Sequence, residues 1–382
     1  MSDLIFKISP NIILGSYTIT RLSQYIKSFG TRFMVLTDPV LKEFKILDKV
    51  LQSLNEHKVE YFVCDEITDG ANSREIEQIL KLAKDGYIHG IIAVGGEKVQ
   101  HAAAVVASLF NEIHDIYDFI DGAVPTSAPL PLICVPTTMR APYSFTSLIP
   151  IVDSRSRQAK LLKTQNNVCR LMVWEPNLYI TLTENQLSSM EIETMCITVE
   201  AYLSQKANFL SDMFCEKAAE LLGFGINGAK SLEITTPSEV LFAQGGCMTS
   251  LAAASSSVGL ASLISLIANA KFRISRSLVC AIIFPHIIED CAKFKSNRIE
   301  TLGKKFGIIP ADVYREDACK AFAESVRQEL AKANLPTRLK DLNLSIEQLA
   351  TIAEDSSHLE IANTLPRSMS ADDIFNMLKQ AY

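Results

Sequence analysis

The sequence predicts an α/β N-terminal domain, a parallel sheet with helices on both faces, followed by an all-α C-terminal domain. Three observations carry that prediction. At 382 residues the chain is long for one core, so two domains are expected. In its first third, short apolar runs alternate with amphipathic ones, as in a parallel sheet covered on both sides. From about Thr183 onward nearly every segment has helical spacing.

The elements follow in order. "FMVLTD" (33–38) reads as a buried strand and "VLKEFKILDKVLQSLNEH" (40–57) as one amphipathic helix. "VEYFVCD" is the next strand, then "SREIEQILKLAKDG", with Ser73 as candidate cap and Gly86 as terminator. "IIAVGG" is a third strand, "VQHAAAVVASLF" a third helix and "PLICVPTT" a fourth strand. Residues 146–182 break into short extended pieces around a polar "DSRSRQ" turn. Helices are expected over 182–203, 212–222, 240–270, 316–333 and 345–353, and "SADDIFNMLKQA" closes the chain with Ser370 as cap. The boundary is placed at residue 182, giving domains 1–182 and 183–382. No low-complexity linker separates them, so a tightly packed pair with a cleft between is expected.

Composition narrows the function classes. A net charge of −6 without a dense basic run argues against nucleic acid. Nine scattered cysteines lacking CxxC pairs suggest reduced thiols in a cytoplasmic protein. The start, "MSDLIFKISP", lacks the apolar stretch of a signal peptide. The uncharged run from Val240 to Ala270 is long enough to span a bilayer. Its Ser, Gly and Ala content, with Gln244 and Asn269, favours a helix buried inside protein instead, so no membrane partner is expected.

Candidate chemistry begins with "IIAVGGEKVQHAAAVVA", an apolar strand, a glycine pair and a helix start. Backbone N–H groups at such a start suit a phosphate, and ligands of parallel sheets bind beyond the carboxyl ends of strands. Yet Glu97 stands there. A carboxylate about 4 Å from a phosphate costs on the order of 4 kcal/mol at an effective dielectric near 20, about a thousandfold in affinity. Lys98 could neutralise it, or the acid could simply favour the helix start. His286 with Glu289 and Asp290 has helical spacing that a metal could use, although a polar helix start after Pro285 is the better reading. Trp174 and Glu175 read as a surface turn before Pro176.

The motifs "VLTDPVLK", "IIAVGG", "PLPLICVPTT", "WEPNLYITLTENQL", "VEAYLSQKANFLSD" and the tail from "LPTRLKDLNL" to the last residue carry a resemblance. With "ISPNIILG" at the start, the whole chain resembles the iron-containing (group III) alcohol dehydrogenases, whose fold is shared with dehydroquinate synthase and glycerol dehydrogenase. The resemblance implies a dinucleotide-binding domain, a helical domain that holds one divalent metal, and interconversion of alcohols with aldehydes or ketones through NAD(P). It assigns cofactor positions to Asp38, Gly95, Gly96, Lys98, Thr137 and Thr138. Ser204, Asn208, Ser211 and Asp212 match the helical domain and suit capping and inter-helix bonding.

Departures from the pattern are concentrated at the working positions. Glu97, His101 and Ala104 replace the third glycine, the Asp and the Lys of the family's cofactor loop. After Thr138, the family's small glycine-rich run is replaced by Met139, Arg140, Ala141, Pro142, Tyr143 and Ser144. The family's first two metal ligands fall at Glu193 and Ile197 and its two other histidines at Ser262 and Arg276. A further active-site histidine falls at Leu266. A catalytic metal needs about three protein ligands and an open position, so neither iron nor zinc is expected. Glu193 and Arg276 are expected to form a buried ion pair in the metal's place. Arg276 could alternatively hydrogen-bond a developing alkoxide, with Arg140 and Lys98 drawing an anionic ligand. Dinucleotide binding is expected to be weak or absent, and Asp38, at a position suited to ribose hydroxyls, favours NAD over NADP. Two functions stay open: an NAD-linked oxidoreductase with a metal-free site, and a non-catalytic protein that binds a small anion or a protein partner. A homodimer is the family's usual state.

Overall fold

The computed structural model describes residues 9–67, 71–227, 236–359 and 363–382. The start of the "ISPNIILG" match and the acidic residue at position 3 lie outside the described residues. The chain divides into two compact units, Met1–Thr181 and Leu182–Tyr382.

The first unit is built on six parallel strands: β1 Asn11–Leu14, β2 Arg32–Thr37, β3 Glu60–Cys64, β4 Gly90–Gly95, β5 Leu132–Pro136 and β8 Cys169–Trp174. Two more, β6 Leu148–Asp153 and β7 Gln158–Lys163, form a separate antiparallel hairpin. The helices are α1 Leu22–Ile26, α2 Val40–Glu43, α3 Ile46–Glu56, α4 Ser73–Asp85, α5 Glu97–Leu109 and α6 Ile116–Ile120. Strand order in the sheet is β1-β8-β5-β4-β2-β3. Alternate residues of the strands face opposite ways. Phe33, Val35, Ile92, Val94, Ile133, Val135, Leu171 and Val173 pack with Leu22 and Ile26 of α1 and Ile46, Val50 and Leu54 of α3. On the other face Met34, Leu36, Ile91, Ala93 and Cys134 are fully buried, and α5 lies against β2, β4 and β5. The parallel sheet with helices on both faces is therefore as expected.

Order reverses at one place. From β2 the chain goes outward to β3, then crosses back to β4 and continues through β5 to β8. The carboxyl ends of β2 and β4 thus flank the topological switch point, where open α/β sheets bind their ligands.

Several local expectations are corrected. The single helix over 40–57 is two, because Lys45 adopts a left-handed backbone with φ 55° between α2 and α3. Asn72 rather than Ser73 caps α4, accepting from Glu75 N at 2.9 Å, and Ser73 is the first helical residue. Gly86 ends that helix in a right-handed conformation, φ −78°. Trp174 and Glu175 are not a surface turn: both are buried. The indole Nε1–H donates to Tyr179 Oη, and the Glu175 carboxylate accepts from Thr18 Oγ1 and Ile19 N. These bonds tie the end of β8 to the segment after β1.

The second unit is helical: α7 Glu184–Leu203, α8 Phe209–Asn227, α9 Ser238–Ser255, α10 Leu260–Phe272, α11 Arg276–Lys305, α12 Arg315–Lys332, α13 Ile346–Ser357 and α14 Ala371–Gln380. Capping boxes at Thr183, Ser345 and Ser370 start α7, α13 and α14. The uncharged run 240–270 is not one helix. It breaks at 256–259 into α9 and α10, bent by 98°. Among the described residues no single helix is long and apolar enough to cross a membrane, and that bent pair alone passes by length and composition. Pro285 and His286 lie inside α11 and do not begin a helix. Burial, offset in part by Glu289, holds the His286 imidazole below its ordinary value. Asn208 Oδ1 accepts from Leu210 N and Ser211 N at the start of α8, Ser204 bonds Ser257, and Asp212 pairs with Arg298 at 2.6 Å. These residues therefore cap and join helices. All nine cysteines are free and buried.

Candidate functional site

At the switch point, Gly95 ends β4, Gly96 caps α5 and Glu97 and Lys98 open that helix. Gly95 has φ 157°, and a Cβ there would meet Val99 Cγ2 at 2.7 Å. The turn is therefore tight enough to require glycine. Asp38 follows β2 directly. Lys98 Nζ lies 2.8 Å from Asp38 Oδ2, so an ion pair bridges the ends of the two strands that flank the switch point. Both side chains are partly exposed.

The second pair lies deeper. Arg140 Nη2 is 3.7 Å from Glu97 Oε2, with only 6% and 7% of the two side chains exposed. Thr137 N donates to Gly95 O at 3.2 Å, and Thr138 Oγ1 donates to Arg140 O at 3.0 Å. Gln100 Nε2 donates to Gly95 O, while its Oε1 accepts from Ser144 Oγ at 2.7 Å. His101 meets the Tyr143 ring edge to face, with centroids 5.2 Å apart. Glu97, Gln100 and His101 thus each meet a residue of the segment 139–144. Sequence reasoning named these residues except Gln100, and did not pair Glu97 with Arg140. The available signal was their opposite charge on two consecutive strand-to-helix loops.

In the second unit, α7 places Glu193, Ile197 and Glu200 along one stretch, α10 supplies Ser262 and Leu266, and α11 begins at Arg276. Glu193 is 1% exposed and its Oε2 accepts from Ser277 Oγ at 2.5 Å. Ser277, the residue after Arg276, is thus a partner that sequence reasoning missed.

Glu200 is the other buried carboxylate. It accepts from Ala261 N at 2.7 Å and from Ser262 Oγ at 3.3 Å, so it caps the start of α10. Gly259 makes room for it: a Cβ there would lie 2.2 Å from the Glu200 carboxyl carbon. Burial raises the Glu200 carboxyl to about 7 despite the hydrogen bonds from Ala261, Ser262 and Gly259. Burial and the neighbouring Cys280 push the Cys196 thiol well up, so it stays protonated.

This donor set does not fit a catalytic divalent ion. Ile197 and Leu266 are hydrocarbon, Ser262 bonds Glu200, and Arg276 is a cation; Glu193 alone resembles a ligand. Among the described residues no group of three or more His, Cys, Asp or Glu is arranged to hold a metal.

Comparison with known proteins decides the family. The family model "Iron-containing alcohol dehydrogenase" matches residues 9–176, and that of the family's C-terminal domain matches 188–382. The chain belongs to the iron-containing alcohol dehydrogenase family. It is 21% identical to alcohol dehydrogenase 4 of Saccharomyces cerevisiae, covering 99% of this chain and 98% of that one. Lactaldehyde reductase of Escherichia coli is 18% identical over 96% of this chain and 97% of its own. A crystal structure of 1,3-propanediol oxidoreductase has a TM-score of 0.91 at 17% identity, with full coverage of both chains. An NADH-dependent butanol dehydrogenase from Thermotoga maritima has a TM-score of 0.85 at 19% identity, covering 100% of this chain and 99% of its own. Iron-containing alcohol dehydrogenase family membership therefore accounts for the fold of both units.

Proposed function

We propose that this member of the family is a non-catalytic descendant, lacking metal-dependent hydride transfer and keeping its dinucleotide loop as a self-paired structural element. One observation carries the reading: the buried Glu97–Arg140 pair occupies the helix start that would face a pyrophosphate. The Lys98–Asp38 pair supports it, because the acid at the end of β2 is already engaged. Both cations that would draw an anionic ligand to this loop have carboxylate partners, so a protein partner is favoured over a small anion. The replacement of metal ligands by Ile197, Ser262 and Arg276 supports loss of the ion.

The test combines NADH titration by fluorescence with elemental analysis of the purified protein. No saturation below millimolar NADH and no stoichiometric iron or zinc are expected. Micromolar NADH binding would defeat the reading.

The second reading, an NAD-linked oxidoreductase acting on an alcohol or carbonyl without metal, draws on the retained Gly95, Gly96, Thr137 and Thr138. The half-exposed Lys98–Asp38 pair could open for a ribose. Hydride transfer from NADH to an aldehyde panel, unaffected by chelator, is the result that would establish it.

A further inference from the structure

Within the helical unit, α7 and α12 face each other across a cavity of about 420 Å³. Ser188, Glu191, Ile192 and Met195 lie on one face of α7, at helical spacing, and Ser325, Glu329 and Lys332 on one face of α12. Phe306, Gly307 and Ile308, which follow α11, close one end, and Ile226 of α8 lies beside them. The size is that of a small-molecule site, and the lining is half apolar with a few polar groups. The walls therefore offer a hydrocarbon surface and a small set of charges.

Those charges are unequal. Glu329 Oε1 pairs with Lys332 Nζ at 2.6 Å, one turn along the same helix. Glu191, on the facing helix, has neither a hydrogen-bond nor an ion-pair partner among the described residues. Among the described residues, Glu191, Glu329 and Lys332 are the ionisable side chains lining the space, so one carboxylate is left over. Burial, and then the nearby Glu329, raise the Glu191 carboxyl to about 7. A partly buried carboxylate short of a partner is satisfied by a cation.

We propose that this cavity binds a small organic ammonium ion, its charged head meeting Glu191 and Glu329 and its hydrocarbon body lying on Ile192, Met195, Phe306 and Ile308. An anion is disfavoured by the surplus carboxylate, and a bare metal ion by the apolar half of the lining. The site uses residues of the helical unit alone and stands independently of the reading of the dinucleotide loop.

The test is calorimetric titration of the full chain with hexylammonium chloride, with hexanol and hexanoate as matched probes. At pH 8 hexylammonium is expected to bind saturably and at least tenfold more tightly than either probe. Glu191→Gln should cost at least tenfold in affinity at pH 8. Ser325→Trp, which fills the space, should abolish binding of all three probes. Circular dichroism establishes that each variant is folded, and Glu191→Gln removes a poorly solvated charge, so its folding is not threatened. Equal affinity for hexanol and hexylammonium, or equal binding by wild type and Glu191→Gln, would overturn the proposal. So would the absence of hexylammonium binding at millimolar concentration.

Discussion

Two regions of the molecule hold their buried charges in different ways. In the loop between β4 and α5 opposite charges answer one another: Glu97 with Arg140, buried, and Lys98 with Asp38 at the rim. In the helical unit, buried carboxylates accept from neutral donors. The two buried carboxylates of α7 bond serine hydroxyls and a backbone N–H, Glu193 to Ser277 and Glu200 to Ala261 and Ser262. The lesson is electrostatic. A buried carboxylate persists when either an opposite charge or a set of hydrogen-bond donors is supplied with it.

The comparison can be broken most sharply at Arg140. Arg140→Ala leaves Glu97 buried without its guanidinium and should destabilise by about 3–5 kcal/mol. The double change Glu97→Gln with Arg140→Ala should cost clearly less than that single change. Urea denaturation of the four proteins of the cycle measures the coupling. A loss below about 1 kcal/mol for Arg140→Ala would mean that the pair behaves as a solvated one.

The next effect is on the other side of the comparison. The Glu200 carboxyl, raised to about 7 by burial, holds its proton more tightly in the folded chain than in the unfolded one. Its contribution is therefore fully present below the ordinary value near 4.5 and is lost as pH rises through about 7. Stability should fall by order 3 kcal/mol between pH 4.5 and 8 from this group. Thermal melts of wild type and Glu200→Gln across that range check it: the variant should show a visibly flatter profile. A slope unchanged by the substitution would remove Glu200 as its source. Glu191 contributes with the same sign, so the two substitutions should be additive if the sites are independent.

The smallest effect is expected at the rim. Lys98→Ala breaks a pair whose lysine is 37% exposed, and should change stability by less than about 1 kcal/mol. Its value is diagnostic: a larger loss in the same urea experiment would place the Lys98–Asp38 bridge among the buried pairs.

Much of the framework was legible because it rests on local pattern. The strands at 33–38, 91–96 and 131–138 are short, continuous apolar runs, and each proved to be a buried strand of the sheet. Ser370 was readable as a cap, and it starts α14 with a capping box. The breaks were not. Lys45 divides a run of perfect helical spacing, and nothing in its own chemistry forces a positive φ. The uncharged stretch 240–270 reads as one helix because its composition is uniform, yet α10 begins anew where Gly259 lets Glu200, from another helix, cap it. Trp174 and Glu175 read as surface beside Pro176, and are buried because residues 18 and 19 and Tyr179 come to them.

The amino-acid sequence by itself determined the alternation of strand and helix, the helical second half and the family. Those depend on residue type and spacing, which no fold can alter. Tertiary structure decided who meets whom. It paired Glu97 with Arg140 and Lys98 with Asp38 across neighbouring strand ends, gave Glu193 to Ser277, and set Glu191 facing Glu329 over a cavity. Such pairings join residues far apart in the chain, and the energy of a buried charge is set by its neighbours in space rather than by its neighbours in sequence.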